Sequence, residues 1–200
     1  MNTKIIFITG STCSGKTSLQ NYLLKNISKE INLIKLHTTR IKREEDKINS
    51  NYIFDTLYDL KDYIISDKIY EKIFYKTNYG NWYYYTLKED IKKDKLNIIA
   101  GSIDTLSRYY QNIFELDFDI TIIPIYLYTD YNTMKERYNL REKDDKEMDR
   151  RIIDDYIKYN SKYSNFINSI IPEDNIFKNT SNIDKDLLFK NILNRINEII

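Results

Sequence analysis

Along the chain, apolar positions follow two periods. Compact apolar runs at residues 4–9, 33–36, 96–101 and 120–128, with a short one at 175–178, predict buried strands. Stretches at 15–29, 86–94, 104–112, 130–140, 146–170 and 184–199 carry the three-to-four spacing of amphipathic helices. Thr86 with Glu89 predicts a capping box, and Asp104 and Asp130 predict helix N-caps. Strand and helix alternate at both ends of the chain, which points to an α/β core. Between residues 37 and 85 the pattern changes: the stretch is rich in Tyr, Phe and Ile and holds one short helical segment, Thr56 to Ile65. It reads as a mostly β insertion.

The first strand runs directly into Gly10-Ser11-Thr12-Cys13-Ser14-Gly15-Lys16-Thr17-Ser18, the spacing G-x-x-x-x-G-K-[ST] of a phosphate-binding loop. A buried strand before it and an amphipathic helix after it supply the context this motif requires. Glycines at 10 and 15 let backbone N–H groups turn inward on phosphate oxygens, and the helix N-terminus adds about half a positive charge. In this reading the loop holds a nucleotide's phosphates, Lys16 bridges the terminal ones, and the Thr17 hydroxyl is a ligand of Mg²⁺. Cys13 reads as a small filler, although a loop position can lower a thiol pKa.

Composition narrows the class. Two hundred residues make one domain of ordinary size. Thirty-one Lys and Arg stand against 30 Asp and Glu, so the chain as a whole is not a basic nucleic-acid binder. The longest apolar stretches are about six residues and no leader pattern opens the chain, so neither secretion nor membrane insertion is expected. A single cysteine excludes an intrachain disulfide, and a cytoplasmic enzyme is the expectation. Heavy use of Ile, Asn, Lys and Tyr follows a codon bias toward A and T, so isolated tyrosines carry little weight. A second charged zone places Arg137, Arg141, Arg150 and Arg151 around Glu142-Lys143-Asp144-Asp145-Lys146-Glu147. A charge run alone is a solvated face. Beside a phosphate loop, it is also a source of mobile arginines that close over a transferring phosphoryl group.

The insertion carries Thr38-Thr39-Arg40, then Arg43, with Tyr52 nine residues later and Glu71 nineteen after that. With the phosphate loop, this resembles the guanylate kinases, whose acceptor-binding segment reads T-T-R-x-x-R and, nine residues on, Tyr. Gly80-Asn81-Trp82-Tyr83, the lid-like segment 134–141, Asp149-Arg150-Arg151-Ile152 and Ile176-Phe177-Lys178-Asn179 extend the likeness, in order, over nearly the whole chain. The resemblance implies a P-loop NTPase three-layer α/β sandwich around a central parallel sheet. Its implied parts are a core (1–36, 86–129, 152–200), an inserted acceptor-binding subdomain (37–85) and a helical lid (130–151). It implies transfer of a phosphoryl group from Mg·ATP to GMP or dGMP. Arg40, Arg43, Tyr52 and Tyr83 would grip the acceptor phosphate, since guanidinium forks and a phenol suit a dianion. Glu71 would read the N1–H and N2–H₂ edge of guanine, Arg137, Arg141 and Arg151 would close from the lid, and Asn179 would sit at the ATP site. Small nucleotides would be its partners, with no nucleic acid or membrane, in a monomer or homodimer.

Three positions depart from the family pattern. Leu36 replaces a serine, Tyr84-Tyr85 replace G-[ST], and Ala100-Gly101-Ser102-Ile103-Asp104 stands where D-x-D is common. Asp104 is a substitute carboxylate or a helix cap. Altered polar partners change discrimination by several kcal/mol. The same scaffold acting on another nucleotide or a sugar phosphate is therefore an alternative expectation. A non-catalytic phosphopeptide-binding module is a second one, against which the retained Lys16 and lid arginines stand.

Overall fold

The structure, a computed structural model, describes residues 3–42, 46, 50–77, 80–140 and 146–200. Strand β1 (Thr3–Gly10) is apolar on both faces because parallel strands flank it on both sides and helices cover it above and below. The main sheet has five parallel strands in the order β2 (Ile31–Leu33), β7 (Leu96–Gly101), β1, β8 (Ile120–Tyr128) and β9 (Ile176–Lys178). On one face, Ile6 and Ile8 pack with Leu19 and Leu23 of α1 (Lys16–Asn26) and with Phe189, Ile192 and Ile196 of α7 (Lys185–Ile199). On the other, Ile5 and Phe7 pack with Leu106 and Tyr109 of α3 (Ile103–Gln111) and Ile167 of α6 (Ser164–Ile170). Each such aliphatic side chain contributes roughly 1.5–3 kcal/mol by leaving water. The α/β sandwich around a central parallel sheet is thereby present.

A second sheet of four strands, in the order β4 (Tyr52–Phe54), β3 (Leu36–Thr38), β6 (Gly80–Leu87) and β5 (Ile69–Thr77), stands beside the C-terminal end of the first. Helix α2 (Leu57–Ile65) closes one of its faces: Leu60 packs on Tyr85 and Leu87, and Thr56 forms a capping box with Asp59. The chain's histidine anchors this face. Buried His37 places Nδ1 2.6 Å from Asp55 and Nε2 3.4 Å from Asp90, where the insertion rejoins the core. Burial opposes a charge on the imidazole, but the carboxylates of Asp90 and Asp55 outweigh it, and its pKa is raised above 6.5.

Several expected elements differ. The run 33–36 is not one strand: β2 ends at Leu33 and β3 begins at Leu36, in different sheets. No helix spans 86–94. Strand β6 continues to Leu87 and a single 3₁₀ turn follows at 88–90, because Thr86 is buried and donates its hydroxyl to Glu71 instead of capping a helix. Ser102, not Asp104, caps α3 by accepting from Thr105 N. Asp130 caps α4 (Tyr131–Asn139) as expected. The long helix expected over 146–170 is three pieces: α5 (Lys146–Ile157), a π-helical turn at 158–162, and α6. That wider turn carries Tyr159, whose hydroxyl donates to Gly10 O at 2.7 Å and accepts from Ile103 N at 3.0 Å.

Candidate active site

The loop after β1 is shaped by close approach. A Cβ on Gly10 would lie 2.6 Å from Leu127 O, and Gly15 sits at φ +93°, where side chains are strained. Gly15 is also the N-cap of α1 and has no side chain to offer, so the first helical amides remain directed at an incoming anion. Ser11 and Ser14 are buried, and among the described residues their hydroxyls have no hydrogen-bond partner. Such orphaned groups are costly unless a ligand satisfies them. Lys16 Nζ folds over the loop, donating to Gly10 O at 2.8 Å and Ser11 O at 2.7 Å. Thr12 points toward the cavity, Thr17 is exposed at the helix start, and Ser18 follows it. Cys13 is buried against Met134, Tyr138 and Ile152, in keeping with a filler role.

Asn179, just after β9, donates to Ser14 O at 2.7 Å. Arg137 of α4 reaches the same place, bonding Cys13 O at 3.2 Å and Asn179 Oδ1 at 3.0 Å. The structure thus gathers Arg137 and Asn179 at the back of the loop. Arg151 of α5 lines the cavity in front of it, with its guanidinium 5.6 Å from the Trp82 ring centre. Arg43 and Arg141 lie outside the described residues.

One cavity of about 370 Å³ joins the loop to the second sheet. Gly10 and Lys16 line one side, Tyr52 and Tyr84 the other. Arg40 stands behind Tyr52, buried, with its guanidinium 4.9 Å over that ring and a two-pronged ion pair to Asp46 at 2.6 and 2.8 Å. Burial pushes the Tyr52 phenol up, so it remains a hydrogen-bond donor at neutral pH.

Tyr83 does not line this cavity. Along β6 successive side chains alternate in facing, and Tyr83 lies against Phe74, with ring centres 5.2 Å apart, while Tyr84 meets Tyr52 edge-on at 5.9 Å. Counting back from Thr86, which pairs with Glu71, would have found the right tyrosine, since residues two apart share a face. Glu71 is 2% exposed and lies outside the cavity lining. Thr86 Oγ1 donates to its Oε1 at 3.0 Å, and Oε2 has no partner among the described residues. Burial raises its pKa to about 8, with Thr86 and Arg108 working in the opposite direction.

The departures noted in the sequence converge at one end of the cavity. Leu36, Ala100 and Ser102 line it. Asp104 is not a substitute carboxylate there: it accepts from Lys158 at 2.5 Å, Tyr163 at 2.7 Å and Tyr75 at 3.3 Å. The carboxylates among the lining residues are instead Asp154 and Asp155 of α5, which sequence pattern did not single out.

Similarity to known proteins agrees with this geometry. The family model for guanylate kinase matches residues 2–190. Guanylate kinases of Mesomycoplasma hyopneumoniae strains 7448 and 232 are each 36% identical over 89 residues, 44% of this chain and 43% of theirs. The aligned stretch spans under half the length of these curated relatives. A crystal structure of guanylate kinase from Anaplasma phagocytophilum superposes with a TM-score of 0.57 at 13% identity, covering 99% of this chain and 84% of that one. At that identity it is the fold that is shared. A match of this extent, on a cavity with a phosphate loop at one wall and a tyrosine pair at the other, places the chain in the guanylate kinase family.

Proposed function

We propose that the protein transfers the γ-phosphoryl group of ATP to the phosphate of GMP or dGMP, giving ADP and GDP or dGDP. The observation that carries this is the shared cavity, in which Lys16 faces Tyr52, Tyr84 and Arg151 across a space sized for small nucleotides. Holding donor and acceptor in line supplies most of the rate, because phosphoryl transfer asks for position and charge more than covalent chemistry. The loop amides, Ser11, Ser14 and Lys16 would hold the donor phosphates. Tyr52 and Tyr84 would donate to the acceptor phosphate, with Arg40 bracing Tyr52. Arg137 and Arg151 would neutralise the transferring group, and closure of α4 and α5 would exclude water. Glu71, whose Oε2 has no partner among the described residues, would accept from the guanine edge once the base reaches it.

The residues present fit a magnesium-bound donor: the Asp154 and Asp155 carboxylates line the same cavity as Gly10, Thr12 and Lys16 of the loop, and the Thr17 hydroxyl stands at the start of the helix that follows. Bound magnesium would neutralise charge on the phosphate oxygens. Among the described residues no helix is long and apolar enough to cross a membrane, and small nucleotides in the cytoplasm are the proposed setting.

The deciding measurement is ADP formation from ATP with a panel of acceptors. Turnover confined to GMP and dGMP is expected. Turnover with another acceptor alone would replace the substrate, and none with any monophosphate would end the kinase reading. A paired substitution tests the acceptor wall. Tyr84→Phe should raise the acceptor KM by about tenfold to a hundredfold, the value of one hydrogen bond to a charged group at roughly 1.5–3 kcal/mol. Tyr83→Phe, on the opposite face, should change it less than about twofold.

A further inference from the structure

We propose that Asp155 makes the donor site selective for the metal-complexed form of the nucleoside triphosphate over the metal-free form. This rests on the reading of the loop as an ATP site. Asp155 lies in the final turn of α5, and its Oδ2 accepts a hydrogen bond from Thr12 N at 2.5 Å. Thr12 is inside the loop whose amides turn toward phosphate, so one donor of the cradle is held by a carboxylate of the chain's own.

The charges around it sharpen the point. Arg150 is paired with Asp154, Lys158 with Asp104, and Lys16 is bonded to Gly10 O and Ser11 O. Among the described residues no Lys or Arg forms an ion pair with Asp155. Its direct hydrogen bond is to the Thr12 amide, on the wall where Gly10, Thr12 and Lys16 line the cavity, while Arg150, Arg151 and Lys158 line the same cavity without pairing with it among the described residues. A metal-free triphosphate entering the loop would bring further anions against this carboxylate, in a partly buried place where screening is weak. A divalent cation reverses the sign of that encounter, because carboxylate and phosphate oxygens are both ligands it favours, directly or through water. The same side chain that repels the bare nucleotide would then help hold the complexed one.

The test is the dissociation constant of ATP measured by titration calorimetry on the whole protein, in EDTA and in excess Mg²⁺, for wild type and Asp155→Asn. The amide can still accept from Thr12 N, so loop geometry is kept. Wild type should bind the complexed form more tightly than the bare one. Asp155→Asn should tighten binding of the bare form about tenfold, which is about 1.4 kcal/mol, and narrow the ratio by at least that factor. An unchanged ratio, or weaker binding of bare ATP by the variant, would overturn the proposal and leave Asp155 a brace for the loop. Asp155→Ser, read the same way, replaces the amide variant if thermal melting shows the latter unfolded. Failure of wild type to bind ATP in either form would overturn the donor reading, and this proposal with it.

Discussion

Replacing Lys16 by Ala is expected to lower kcat/KM by about a thousandfold or more, roughly 4 kcal/mol of transition-state stabilisation, as for other groups aimed at developing charge. Lys16 is a compact ammonium on the cavity wall, on a stem long enough to follow the phosphoryl group. In the unliganded protein its Nζ rests on Gly10 O and Ser11 O, and Gly10 O keeps a second donor, the Tyr159 hydroxyl at 2.7 Å. Losing those two bonds costs on the order of 1 kcal/mol each at most. The fold should therefore survive, with thermal melting shifted by a few degrees and turnover nearly abolished. Steady-state kinetics beside circular dichroism decide this, and turnover at the wild-type rate in Lys16→Ala would remove the proposed mechanism.

The second large effect is that of Glu71→Gln, and it is read through pH. Glu71 titrates near 8 when folded, against 4.5 in the unfolded chain. Below 4.5 both states hold the proton. Between the two values the unfolded chain gives up its proton while the native protein keeps it, so the native state loses stability as pH rises through this window. Gln cannot ionise, so the variant should lack that slope and be the more stable protein at pH 8, by on the order of a few kcal/mol. Guanine recognition runs the other way. Its two donors need an ionised acceptor, so GMP binding should expel the Glu71 proton and tighten by up to about tenfold per pH unit below 8. Glu71→Gln should bind GMP more weakly, by about tenfold to a hundredfold, with the pH dependence gone. Denaturant melts and GMP titrations at pH 6, 7 and 8 measure both, and equal slopes in the two proteins would show that another group is responsible.

How far a feature was legible in the sequence followed how local its cause is. The phosphate loop is made by adjacent amides and two glycines, and Gly10, Gly15 and Lys16 stand where their spacing requires. The Asp130 cap needs only Thr133 three residues on, and it forms. The cap expected from Thr86 fails because a partner fifteen residues away, Glu71, takes its hydroxyl. Tyr83 and Tyr84 differ by one position in a strand, and one position is the difference between two faces of a sheet. Which of the two faces meets the cavity follows from how β6 pairs with β5, Thr86 against Glu71 and Tyr84 against Ile73.

The sequence by itself therefore determined the loop spacing Gly10 to Lys16 between a strand and a helix, and the α/β core that carries it. Tertiary structure alone decided which tyrosine faces the cavity, that Glu71 is buried and its pKa raised by that burial, that Asp104 is committed to Lys158, and that Asp155 reaches a loop amide 143 residues away. The physical reason is that hydrogen bonds within a turn depend on neighbours in the chain, whereas desolvation and facing depend on what other segments bring alongside.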